Sequence, residues 1–342
     1  MDSSAIPIWQ AFVLLACSFY LLAKGANWLV DGSVGIAERF RLPKLLIGIV
    51  LLGFATTAPE FAVSFLAALA GIPEMALGNA VGSVIVDDGV ALALVGLLSA
   101  APVLVNRRLL LQTGAFLVVI DVLAFIFAVT DSTLSRVEGA FLVVCFFVYL
   151  GYVIWDRCRR PAGAKDVARE LDGVEAKIAG RGLPALVGLF VMGLVLVIGS
   201  SKVVVMSAER IATWAGIHEA VVALTVVAIG TSLPEIATCV TAARKGHGAL
   251  AIGDIIGADI LNIAWIAGAS SIANPLTVDA KVIWFMFPSM LIIVLTMLVG
   301  LAWRGRMTRR LGVVLIAEYA VYMGVMAVLT FWLNLFGQPV AH

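Results

Sequence analysis

The chain has 342 residues, 62% of them hydrophobic and 13% charged, with a mean hydropathy of +1.08 and a net charge of +1. A soluble protein carries roughly 25% charged residues, so this composition excludes a water-exposed globular surface and calls for a lipid bilayer. The near-zero net charge gives no field for nucleic acid, and the four cysteines (Cys17, Cys145, Cys158, Cys239) show neither CxxC pairing nor metal spacing.

A stretch of about 20 apolar residues crosses the hydrocarbon core. Ten such stretches are predicted, at approximately 8–30, 45–69, 75–99, 109–130, 138–155, 183–207, 219–242, 249–270, 281–302 and 311–335. The first is too long for a signal-peptide core and has no basic leader, so it reads as a retained span. The three histidines (His218, His247, His342) fall at segment ends, which argues against a histidine proton relay. A polar, charged loop at 156–182 separates a first five-span repeat, 1–155, from a second, 183–342. With the N-terminus outside, eighteen lysines and arginines fall in inside loops, and three (Arg136, Arg210, Lys281) fall outside. That bias predicts both termini outside and the 156–182 loop in the cytoplasm. Lys24 and Lys202 lie within spans and are expected to snorkel to the interface.

The second span opens a segment that returns 175 positions later, so that Gly53–Asp88 lies over Ala228–Ile263 without a gap. Thr56, Pro59 and Glu60 meet Thr231, Pro234 and Glu235, and Gly71, Gly78 and Gly82 meet Gly246, Gly253 and Gly257. Because five is odd, two such similar halves cross the membrane in opposite senses. That is the inverted-repeat plan of secondary transporters, with binding near the midplane.

Glu60 and Glu235 are predicted at mid-span, where an ionised carboxylate costs at least about 2.5 kcal/mol unless it meets a cavity, a partner or an ion. Pro59 and Pro234 each lack an N–H and release the carbonyl one turn earlier, those of Ala55 and Gly230. The hydroxyls of Thr56, Thr57, Thr231 and Ser232 stand beside them. Carboxylate, hydroxyl and free carbonyl oxygens are the ligands a hard cation wants. A second row lies on the third span of each half. Asn79, Ser83 and Asp87 share one helical face by their i, i+4, i+8 spacing, and their counterparts are Asp254, Ala258 and Asn262. Asp88 and Asp259 fall about 100° round the helix, either behind the ligands or at the ion. The glycines of this row give small-xxx-small steps for close helix approach.

These residues resemble the two α-repeats of the cation/Ca²⁺ exchanger superfamily, to which the Na⁺/Ca²⁺ exchangers belong. The family's GTSxPE and GNxxGSNxxN/D patterns appear here as ATTAPE with GNAVGSVIVD, and as GTSLPE with GDIIGADILN. KGANWLVDG in the first span is also similar to the family's segment there. The resemblance implies an all-α membrane fold of ten transmembrane helices in two inverted five-helix repeats. It implies that Glu60 and Glu235 bind Ca²⁺ and Na⁺, completed by Thr56, Thr57, Thr231, Ser232, Ser83, Asp87 and Asn262, and that the first and sixth spans slide to alternate access. Ala258 departs from the pattern where a serine is expected, Val84 and Asp259 replace the asparagine of GSN, and Asp254 replaces that of GN.

The expected function is therefore a Na⁺-driven Ca²⁺ antiporter by alternating access, not an enzyme, with a H⁺-coupled Ca²⁺ or other divalent-cation antiporter as the alternative. No cofactor is expected; the partners are the bilayer and the transported cations, Ca²⁺ with Na⁺ or H⁺. The short loop, without a regulatory Ca²⁺-binding domain, points to a prokaryotic inner membrane; for the oligomeric state, a monomer is one reading. An intramembrane aspartyl protease is disfavoured, because AIGD at Ala251–Asp254 lacks the first glycine of GxGD and has no Tyr-Asp partner.

Overall fold

The computed structural model describes residues 7–40, 42, 44–159, 181–215, 228–278, 280 and 282–336. Nearly all of them are helical, as a bilayer demands of backbone that has no water to bond to. Helix α1 (Ile8–Arg39) packs along α7 (Leu183–Trp214). The second stretch, α2 (44–56), contains a π-helical segment at Gly48–Leu52 and stops at Thr57. The chain resumes as α3 (Ala58–Leu69) at an angle of 54°. Pro59 sits in the first turn of α3, where its missing N–H has no intrahelical role. The break recurs between α8 (Ala228–Thr231) and α9 (Leu233–Arg244), at Ser232 and again just before a proline, Pro234. Both arms then turn on a left-handed glycine, Gly71 and Gly246, each at φ +77°, a region closed to most side chains.

Next come α4 (Pro73–Leu98) and α10 (Gly248–Ala273), which carry π-helical segments at Asp87–Leu92 and Leu261–Ala267. The peripheral helices are α5 (Arg107–Asp131), α6 (Arg136–Arg159), α11 (Val282–Arg304) and α12 (Arg309–Phe336). In α4 and α10 the most apolar stretch is 72% and 89% buried, against 22–39% in α1, α5, α6, α7, α11 and α12. The first two are thus the core, and the others present apolar side chains outward, as lipid contact requires.

Two short antiparallel ribbons tie the loops. Strand β1 (Val103–Leu104) pairs with β4 (Arg306–Met307), and β2 (Thr133–Leu134) pairs with β3 (Leu276–Thr277). Adding 175 to the ends of α1, α3 and α4 gives the ends of α7, α9 and α10. Among the described residues, eight helices are long and apolar enough to span a membrane, and the α2–α3 bent pair makes a ninth. The expected span at 219–242 falls partly on 219–227, and the expected loop at 156–182 mostly on 160–180, both outside the described residues. Lys24 is exposed with its ammonium 5.2 Å from the centre of the Trp28 ring, and Lys202 is exposed, in keeping with snorkelling.

Candidate ion-binding site

Glu60 lies in the first turn of α3 and Glu235 in the first turn of α9, at helix starts whose free N–H groups favour negative charge. Both side chains are fully buried, and all four of their carboxylate oxygens lack a hydrogen-bond partner in the structure. They do not occupy separate surroundings. Glu235 and Asp87 both lie within electrostatic reach of Glu60, and Glu235 lies within reach of Asp87. Asp254 joins the group through Asp87 and Glu235. Four carboxylates, two from each half of the chain, are thus linked pairwise by electrostatic reach between the broken helices and the central pair α4 and α10.

The neutral groups come from the same elements. Thr56, Thr57, Ser83, Ser232 and Asn262 are all 3% exposed or less. The hydroxyl of Ser232 lies beside Asp87 and that of Thr56 beside Glu235. Ser83 Oγ and both polar atoms of the Asn262 side chain find no hydrogen-bond partner. Thr57 Oγ1 donates to the Gly53 carbonyl at 2.9 Å. Thr231, at the end of α8, is only half-buried. Asn79, also half-buried, donates to Ser64 Oγ at 3.0 Å and reaches the Glu60 carbonyl at 3.5 Å, so its amide braces the α3–α4 pair. Its counterpart Asp254 is braced more firmly. Thr56 Oγ1 reaches its Oδ1 at 3.2 Å, and Thr238 Oγ1 its Oδ2 at 3.0 Å. Cys239, the counterpart of Ser64, places Sγ 3.7 Å from the same carboxylate.

Thr238 is a site residue that the sequence repeat does not flag, because its counterpart is the apolar Val63. The π-helical turns at Asp87 and beside Asn262 are equally unannounced. Asn79 and Ser83 lie on the α-helical part of α4, and Asp87 opens the π-helical turn, a feature frequent at functional sites. Asp88 and Asp259 are fully buried, face each other, and have Asp121 of α5 and Glu318 of α12 within electrostatic reach. They form a second acidic group that adjoins the first at Asp87. Among the described residues, no three Asp, Glu, Cys or His side chains converge closely enough to cage a metal by themselves. A cation held between the glutamates would draw on the hydroxyl, amide and carbonyl oxygens as well, which suits a hard ion.

A model of the family described as sodium/calcium exchanger protein matches residues 10–155 and 185–328. The chain belongs to the sodium/calcium exchanger family. Among its relatives in that family, it is 31% identical to the putative antiporter CaxA of Alkalimonas amylolytica, over 79% of this chain and 83% of that one. It is 28% identical to the sodium/calcium exchanger MaX1 of Methanosarcina acetivorans, over 92% and 98% of the two chains. Its fold is similar to that of the sodium-calcium exchanger NCX_Mj, with a TM-score of 0.78 at 24% identity, covering 93% of this chain and 99% of that one. A sodium/calcium exchanger family member is a membrane transporter, and the long apolar helices of this one agree with that.

Proposed function

We propose that this exchanger-family chain moves Ca²⁺ against Na⁺, with Glu60, Glu235, Asp87 and Asp254 as the charged ligands. Thr56, Thr57, Thr231, Ser232, Ser83, Asn79 and Asn262 complete the oxygen set. The observation that carries this reading is that unpartnered, fully buried carboxylates from the two halves lie within electrostatic reach of one another. Buried anions facing one another demand a counter-charge. Counter-transport results if Ca²⁺ and Na⁺ compete for the same oxygens, because a loaded site is neutralised and can reorient while an unloaded one cannot. The kinship with MaX1, a sodium/calcium exchanger by name, supports the same pair of ions.

The proposed architecture is ten spans in two inverted repeats, 1–155 and 183–342, with the 156–182 loop cytoplasmic and both termini outside, in a prokaryotic inner membrane. The ribbons support it. The loop after α4 in the first half pairs with the loop before α12 in the second, while the loop after α10 pairs with the loop before α6. Such an exchange of partners is what a twofold axis in the membrane plane generates. The two halves are not in the same state, however. Helix α1 packs on α9, and Lys245 Nζ bonds Asp31 Oδ1 at 2.6 Å, whereas α7 makes no comparable packing on α3. The counterparts of that ion pair are Met206 and Ala70. This one-sided closure supports alternating access, with the side near Lys245 shut.

The test is ⁴⁵Ca²⁺ uptake into proteoliposomes under an imposed Na⁺ gradient. Uptake should follow the gradient in the wild type and vanish in Glu60→Gln and Glu235→Gln, both still folded by size-exclusion chromatography. Uptake that ignores Na⁺ but follows a pH gradient would replace this reading with H⁺ coupling, which the surplus of buried acids around Asp88 and Asp259 favours.

A further inference from the structure

At the end of the molecule tied by β1 and β4, a cavity of about 300 Å³ is lined by Ser99, Ala101, Pro102, Arg304, Arg309 and Arg310. It lies between the end of α4 and the tight turn from α11 into α12. We propose that this cavity is a binding site for the phosphate headgroup of an anionic lipid.

Three observations converge on a phosphate. Three arginines line one small cavity, and none has an ion-pair partner among the described residues. Neither connecting segment, 99–106 or 305–308, contains an acidic residue that would compensate them. Arg309 and Arg310 occupy the first turn of α12, where a helix disfavours positive charge and its free N–H groups attract anions. Thr308 caps that turn through Oγ1 and the Leu311 N–H at 3.3 Å, which fixes the helix start at the cavity rim. The third observation is independent of charge. Ser99 is buried (7% exposed), lines the cavity, and its hydroxyl has no hydrogen-bond partner. A buried hydroxyl left unpaired is destabilising, and a phosphate oxygen in the cavity would accept from it. Arginine's planar fork suits phosphate better than any other cationic side chain.

The surroundings favour a lipid over a soluble phosphate. Trp303, next in the chain to Arg304, is 85% exposed, and Leu104, paired with Arg306 across the ribbon, is 75% exposed. A wet loop has no use for either, but acyl chains and the headgroup boundary do, since tryptophan concentrates at that depth. Basic pockets between transmembrane helices at the interface are a recognised form of headgroup recognition. The site would clamp α4 to α12 just beyond the π-helical turn that carries Asp87.

The test is native mass spectrometry of the purified protein in neutral detergent, titrated with phosphatidylglycerol or with phosphatidylcholine of the same chains. The wild type should take its first phosphatidylglycerol at least about tenfold more tightly than phosphatidylcholine, a preference worth about one or two basic contacts at a membrane surface. The double variant Arg309→Gln/Arg310→Gln should lose that preference. Ala101→Trp, which keeps every charge but obstructs the cavity, should lose it too, and Arg107→Gln, at the same end but outside the cavity, should keep it. A preference that survives Ala101→Trp, or that falls equally in Arg107→Gln, would overturn the site. Displacement of the lipid by an equal concentration of glycerol phosphate or inorganic phosphate would overturn the lipid assignment in favour of a soluble phosphate. Size-exclusion profiles and melting temperatures of the variants separate loss of binding from loss of folding.

Discussion

Asp254 differs from the other three carboxylates of the site in having hydroxyl donors on both oxygens, one from each half of the chain. Those bonds fix where its charge points. A hydrogen bond to a charged group is worth about 1.5–3 kcal/mol. Thr238→Val should therefore raise the apparent KM for Ca²⁺ by about tenfold or more in vesicle flux, whereas Thr238→Ser should leave it near the wild-type value. An unchanged KM in the valine variant would remove Asp254 from the ligand set. The repeat made Glu60, Glu235, Asp87 and Asn262 legible because each has a polar counterpart at the same offset. Thr238 is opposite the apolar Val63, and Glu318 stands in a helix where the halves are no longer in register. A repeat displays what its two copies share and hides what only one of them holds.

At the level of helices, close approach sets the spacing of the core. A Cβ added to Gly257 would lie 2.5 Å from the Ile49 carbonyl oxygen, and one at Gly48 would strike the Leu250 carbonyl. Helix α10 thus crosses the π-helical part of α2 backbone to backbone. Overpacking of this kind costs about 1–3 kcal/mol, so Gly257→Ala should lower the melting temperature in detergent and reduce the folded yield. Gly151→Ala, on the outward face of α6 where an added Cβ meets open space, should change neither. The small-residue steps announced this crossing for Gly257, whereas the prolines announced freed carbonyls and not the helix breaks at Thr57 and Ser232. The π-helical turns stayed hidden because one extra residue per turn has no compositional mark: Gly48–Leu52 is wholly apolar, whereas Asp87–Leu92 opens on two aspartates. The Lys245–Asp31 pair belongs to the same scale, since it ties the end of α9 to α1. Its side chains are 28% and 25% exposed, so it is worth about 0.2–1 kcal/mol, or up to about a fivefold shift in population. Lys245→Ala should speed amide exchange at 31–39 and 241–247 by that factor, and the swap Asp31→Lys with Lys245→Asp should restore protection. Exchange that is unaltered by either change would show the contact of α1 with α9 to rest on apolar packing alone.

For the molecule as a whole, the two ribbons define its two ends. Arg107, Arg108, Arg304, Arg306, Arg309 and Arg310 gather at the end marked by β1 and β4, and among the described residues of the β2–β3 turns only Arg136 adjoins the other. A gradient of basic residues this steep orients a membrane protein with the basic end in the cytoplasm. Because the ribbons pair loops from opposite halves, one orientation fixes both halves at once, and no partial inversion preserves the pairing. Single cysteines in a background lacking Cys17, Cys145, Cys158 and Cys239 make the orientation measurable. Leu104→Cys and Arg306→Cys should resist a membrane-impermeant maleimide in intact cells and react in inverted vesicles, while Asp131→Cys and Thr277→Cys should do the reverse. All four sites are exposed in the fold, and the reaction expected from the opposite side shows that each meets water, so failure from one side alone reports sidedness. Labelling of Leu104→Cys and Thr277→Cys from the same side would break the link between ribbon pairing and membrane orientation. The opposed halves, and with them a single site reached alternately from each side, would then have to be abandoned.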